Sequence, residues 1–161
     1  MALGYSGPEV MEMAVETERG GKLFYDSVAE TTDNEELRRL FRFLGEEEVK
    51  HIAVFRDIAR SLTERPEEMP YHWEEAVPYL DAIVNSRYFL GGDKALALAR
   101  TATTPEAAIT HALGFEKETL LFYTELLSMV AERNRPALER LIAEEKSHVV
   151  RLTRLLDELP R

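Results

Sequence analysis

Glu48 and His51, and again Glu145 and His148, stand three residues apart, a spacing that puts both side chains of each pair on one face of a helix. The second pair interrupts the series Leu138, Leu141, Glu145, His148, Leu152, Leu155, which alternates steps of three and four. That is the seam of a helix packed in a bundle. The first pair interrupts a like series, Leu37, Phe41, Leu44, Glu48, His51, Phe55, Ile58, Leu62. Burying a carboxylate and an imidazole among leucines is costly unless something compensates them. A metal ion does so.

Two more seams carry one glutamate each: Met11, Ala14, Glu18, Gly21, Tyr25, Val28, and Ile109, Ala112, Glu116, Thr119, Tyr123, Leu126, Val130. The chain repeats itself. Glu18–Tyr25 aligns with Glu116–Tyr123 at an offset of 98, and Glu48–His51 aligns with Glu145–His148 at an offset of 97. A repeated helical hairpin brings the two motifs together about a pseudo-twofold axis. The set Glu18, Glu48, His51, Glu116, Glu145 and His148 is then the ligand set of a carboxylate-bridged di-metal site in a helix bundle. Four carboxylates balance two divalent ions, and mixed oxygen and imidazole donors suit iron or manganese. One imidazole would serve each metal, and two of the glutamates would bridge. A single Glu-x-x-His pair in a glutamate-rich chain reads more simply as a solvated face. Both pairs lie in a seam, however, and each follows a Glu-x6-Tyr at matching distance.

Other residues are weaker candidates. Tyr25 and Tyr123 are core aromatics that can also hydrogen-bond a ligand carboxylate. His111 lacks ligand spacing and reads as a support to the site or as structural, and His72 reads as structural or exposed. Glu47 and Glu144 precede ligand glutamates and are expected off the seam, in solvent; Tyr71 and Trp73 read as packing. Gly20-Gly21 costs a helix roughly 1 kcal/mol per glycine, so something is expected to approach the backbone there.

The elements that must hold these residues are four long helices over about 8–31, 34–62, 105–132 and 136–157, an all-α chain of two helical hairpins. Their starts are marked by capping signals at Ser6–Glu9, Asp33–Glu36 and Thr104–Glu106. Residues 63–104, punctuated by Pro66, Pro70, Pro78 and Gly91-Gly92, form the long crossover, with short helices near Tyr79–Tyr88 and Lys94–Thr101.

The 161 residues suffice for one domain with a sizeable core. A net charge of −10 argues against nucleic acid and anionic membrane as partners. The absence of cysteine excludes thiolate ligands, iron–sulfur clusters and disulfides. With no signal-peptide pattern and no membrane-length apolar run, a cytoplasmic location is expected.

The motifs Glu18–Tyr25, Glu48–His51, Glu116–Tyr123 and Glu145–His148 resemble the rubrerythrin family of the ferritin-like superfamily, across all four long helices. The resemblance implies a ferritin-like four-helix bundle holding two iron ions, with manganese or mixed metals as variants. It also implies a peroxidase- or oxidase-type oxidoreductase that reduces hydrogen peroxide or dioxygen as a homodimer or larger assembly. Two departures stand out. Rubrerythrins proper carry a cysteine-ligated rubredoxin domain that delivers electrons; this chain has no cysteine, so an external donor such as a rubredoxin-like protein is implied. Many also carry a glutamate three residues after the third-helix ligand, where Thr119 stands here. Gly21 and Thr119, each three residues after a ligand, are expected to leave room for the oxidant. Ferritin-like iron sequestration and a metal-dependent regulatory module without turnover are the alternatives. So is a purely structural bundle, in which removing Glu145 from an empty acidic cluster would stabilise the fold.

Overall fold

A computed structural model describes residues 7–64, 73–88 and 91–160. It contains helices α1 (Gly7–Thr31), α2 (Glu35–Glu64), α3 (Trp73–Val84), α4 (Gly92–Thr101), α5 (Pro105–Met129) and α6 (Arg135–Glu158), and no strand among the described residues. Helix α1 packs along α2 and α5 along α6, so each half of the repeat is a hairpin, and α2 meets α6 across the bundle. This is the all-α architecture that the periodicity implies. Every residue of the four seams is buried.

The core falls into two apolar clusters. One gathers Val10, Ile52, Phe55, Phe122 and Leu138; the other gathers Phe24, Phe41, Ile109, Ala112 and Leu152. Between them on all four long helices lies a polar layer. Glu18, Glu48, His51, Glu116, Glu145 and His148, with Thr17 and Thr119, are the buried polar residues among those described. The crossover closes both ends. Helix α3 gives Ala76, Leu80 and Ile83 to the first cluster, and α4 gives Ala95 and Leu98 to the second. Leu80 alone, with none of its surface exposed, contributes roughly 1.5–3 kcal/mol of burial.

Several boundaries differ from the sequence expectation. Helix α3 begins at Trp73 rather than near Tyr79, because Pro78 sits inside it. The proline forgoes one backbone hydrogen bond on an exposed face, and the apolar spacing of Ala76, Leu80 and Ile83 outweighs that loss. Helix α5 stops at Met129, since Val130 turns extended and Glu132–Asn134 form a 3-10 turn leading into α6. Asn34 rather than Asp33 caps α2, its Oδ1 accepting from the Leu37 amide at 2.9 Å. Thr104 caps α5 as expected, accepting from the Ala107 amide at 3.1 Å. Ser6, Pro66, Pro70, Tyr71 and His72 lie outside the described residues. No described helix is long and apolar enough to cross a membrane.

Candidate metal centre

Each ligand candidate is carried by a helix that burial forces to face inward. The same heptad step that buries Phe41 and Leu44 of α2 points Glu48 and His51 at the axis, and Leu141 and Leu152 do this for Glu145 and His148 of α6. Glu18 and Glu116 come from α1 and α5. The six side chains form two groups. Glu18, Glu48, His51 and Glu145 each offer one donor atom, all within 4.8 Å of one another, and Glu116, Glu145 and His148 do likewise. Glu145 belongs to both. Its Oε1 lies 2.9 Å from His51 Nδ1 and its Oε2 lies 2.8 Å from His148 Nδ1, so its two oxygens face the two halves. The imidazoles are nearly parallel, 22° apart with centroids at 5.8 Å.

Protein groups alone do not satisfy this layer. Both carboxylate oxygens of Glu48, Oε2 of Glu18 and of Glu116, Oε1 of Glu145 and both ring nitrogens of His51 are buried without a hydrogen-bond partner. Buried polar atoms are nearly always paired, and each exception calls for an explanation. Oxygen and imidazole donors converging in two groups on a shared carboxylate fit divalent ions of the iron and manganese kind. In the ion-free arrangement, protons take up part of the load. Burial pushes Glu18 and, more strongly, Glu48 above the usual carboxylate range, with the neighbouring Glu18 charge adding to the second shift. Burial and the Glu145 charge raise Glu116 to about 8. For Glu145, burial and the Glu48 charge act upward but are outweighed by the His148 hydrogen bond and by the close, charged His51 ring, so it lies low. Burial works against the charged imidazoles, yet the surrounding carboxylates raise His51 well above its ordinary value and His148 to about 10.

The tyrosines support the carboxylates crosswise. Tyr25 of α1 donates to Glu116 Oε1 of α5, and Tyr123 of α5 donates to Glu18 Oε1 of α1. Burial and the Glu116 charge hold the Tyr25 hydroxyl protonated well beyond its ordinary range, which keeps it a donor. Each tyrosine thus fixes one oxygen of a ligand glutamate and leaves the other free.

Some readings need correction. Glu144 is not simply solvated: its Oε2 lies 3.3 Å from His51 Nε2, on the outer side of that ring. Glu47 is mostly buried and pairs with Lys50. Both glutamates occupy the position just before a seam residue, which flanks the facing helix. That register was available in the sequence. The space left by Gly21 is taken, since a Cβ there would lie 2.5 Å from Phe115 Cζ and 3.4 Å from Glu48 Cδ. The close approach foreseen at that glycine is real, but an aromatic ring occupies the space. His111 serves packing: its Nε2 lies 3.0 Å from Thr101 Oγ1, which ties α5 to α4, and Tyr88 packs nearby. Burial and Arg87 lower its pKa.

Comparison with known proteins agrees with this fold. A crystal structure of a Thermotoga maritima protein, described as a ferritin-like diiron-carboxylate protein, superposes with a TM-score of 0.68. It covers 96% of this chain and 97% of its own at 22% identity, a likeness that carries the fold. None of the curated proteins matches the chain. The rubrerythrin family model matches residues 9–156, from the first turn of α1 to the last of α6, and the chain belongs to the rubrerythrin family.

Proposed function

We propose that this protein holds two iron ions, with manganese as the alternative metal, and reduces hydrogen peroxide or dioxygen with electrons from an external donor. The observation that carries the reading is the set of buried, unpartnered donor atoms from four helices meeting on Glu145. Glu18, Glu48, His51 and Glu145 would hold one ion, and Glu116, Glu145 and His148 the other. When bound, such a pair would supply two one-electron changes side by side, matching the two electrons and two protons that take hydrogen peroxide to two waters, or dioxygen to hydrogen peroxide.

The chain's own groups set the conditions. Apolar clusters on both sides of the polar layer exclude bulk water. Tyr25 and Tyr123 orient Glu116 and Glu18 and keep their phenolic protons within the site. Deprotonation of His148, Glu116 and Glu48 must accompany loading, so binding releases protons and tightens as pH rises. A chain without cysteine contributes no thiolate-held electron relay of its own. A rubredoxin-like donor, a homodimer or larger assembly and a cytoplasmic location complete the proposal.

The test is metal content per chain after anaerobic loading with ferrous iron and desalting. About two ions, lost in a Glu48→Ala, Glu145→Ala double variant, is the expected result. Rapid mixing of the loaded protein with peroxide or with dioxygen then compares the oxidants. Little retained metal in the wild type would overturn the reading, and slow oxidation without turnover beside an electron donor would favour sequestration.

A further inference from the structure

The two halves of the site differ at a pair of positions related by the internal repeat. At the offset of 98, Gly21 corresponds to Thr119 and Phe115 to Thr17. On one side the Phe115 ring fills the space over Gly21. On the other, two threonines stand where the repeat would place an aromatic ring and a glycine. Thr119 is fully buried, and its Oγ1 has no hydrogen-bond partner, not even the helix carbonyl that a buried threonine ordinarily uses. It lies one turn after Glu116 on the same inward face. Thr17 is also buried. One side therefore carries a ring over its glycine, and the other a buried hydroxyl without a partner.

Resting on the di-metal reading above, we propose that Thr119 Oγ1 is a ligand-binding group of the site. It donates its hydrogen bond to a small oxygen-bearing or azide-sized ligand held on the side away from Phe115. An unpartnered buried hydroxyl costs the empty fold and is repaid only when such a ligand arrives. A glutamate here would fill the place with a further metal ligand. Threonine leaves it for the substrate.

Two measurements test the assignment, one of them needing no metal. In the metal-free protein, Thr119→Val removes an unpaired hydroxyl at nearly constant shape, so the melting temperature should rise by roughly 2–6 °C. A fall would show that the hydroxyl is bonded structurally and would overturn the proposal. In the iron-loaded, oxidised protein, azide titrated by absorbance should bind roughly three- to tenfold more weakly to Thr119→Val, at unchanged iron content. Thr119→Ser should keep wild-type affinity. Thr119→Ala is a second hydroxyl-free variant with room to spare, and wild-type azide affinity in it or in Thr119→Val would overturn the proposal while leaving the di-metal reading intact. A wild type that retains no iron would overturn both.

Discussion

The half-site built by α1 and α2 and the half-site built by α5 and α6 are repeats, yet they are not equivalent. Around His51 gather Glu18, Glu48 and Glu145, with Glu144 outside the ring at 3.3 Å. Around His148 gather Glu116 and Glu145, with the edge of Phe43 outside it at a centroid distance of 6.2 Å and Arg151 stacked on Phe43. One imidazole has a carboxylate behind it, the other an aromatic ring under a cation. Equal ligand types therefore sit in unequal surroundings. The repeat supplies matching Glu and His side chains, and their flanking residues differ.

The two central glutamates allow the most drastic way to break the comparison. Glu145 reaches both histidines, whereas Glu48 approaches His51 alone, at 3.3 Å, and neither of its oxygens has a hydrogen bond. Glu145→Ala should abolish retention of both ions, from about two per chain to near none, while Glu48→Ala should keep part of the occupancy. Metal analysis after desalting decides. Without metal the order inverts. Replacing Glu48 by leucine relieves an unpaired buried carboxyl and should stabilise by about 1–3 kcal/mol, whereas Glu145→Leu strands two imidazoles and should destabilise. Chemical denaturation of the metal-free variants reads this, and a gain in stability on removing Glu145 is what the purely structural bundle would give instead. If Glu145→Leu proved the more stable, its role as the shared partner would fail.

Titration gives the next effect. His148 has a folded-state pKa of about 10 against an ordinary 6.5, so its stabilisation is complete below 6.5 and lost as pH rises through 10. Glu116, at about 8 against 4.5, likewise contributes below 4.5 and loses that contribution as pH rises through 8. Glu145 is depressed, so its contribution is present above 4.5 and lost on acidification below that value. Metal-free protein should therefore be most stable near mildly acid pH and lose on the order of a few kcal/mol between pH 6 and 10. Ion binding displaces those protons, so the melting-temperature gap between loaded and metal-free protein should widen over the same range. A gap independent of pH would count against the histidines as ligands.

The donors were legible because burying an ionisable group is expensive. A glutamate or histidine in an apolar seam is conspicuous in sequence, and the structure buries all six of these residues and gathers them into two groups. The helices followed from the apolar periodicity, and the tyrosines from their spacing to Glu18 and Glu116. What the rule does not reach is the layer around the donors. Phe115 is one apolar residue among many in α5, and only the bundle's geometry shows that its ring takes the space over Gly21. Glu144 looked like a surface glutamate because its side chain is half exposed, and exposure and contact with His51 coexist at a flanking position. Helix α3 was misplaced because Pro78 reads as a breaker, whereas an exposed proline in a helix whose other face is buried is tolerated. That the crossover seals both ends of the core depends on pairings far apart in the chain, which local periodicity does not encode.

The tyrosines test where the symmetry holds. Tyr25→Phe and Tyr123→Phe each leave one ligand oxygen without its donor, and each should cost about 1–2 kcal/mol in the metal-free protein, nearly equally. Unequal losses by denaturation would show that the half-sites diverge even at their most similar contact.

The smallest effect concerns the flanking glutamates, where the symmetry fails. Glu47 and Glu144 occupy equivalent positions in the repeat, yet Glu47 pairs with Lys50 of its own helix while Glu144 reaches across to His51. A carboxylate behind a ligand imidazole fixes the ring and raises its basicity. Glu144→Gln should thus weaken binding at the His51 half by about tenfold or less, since a half-exposed carboxylate is screened by water. Glu47→Gln should leave both halves unchanged. Stepwise titration of metal-free protein with a divalent ion resolves the two affinities. A loss confined to the step governed by His51, in Glu144→Gln and not in Glu47→Gln, would trace the asymmetry of the centre to one residue outside it. Equal responses of the two variants would mean that the flanking carboxylates act only through net charge, and that the half-sites differ for the reason visible at Gly21 and Thr119 instead.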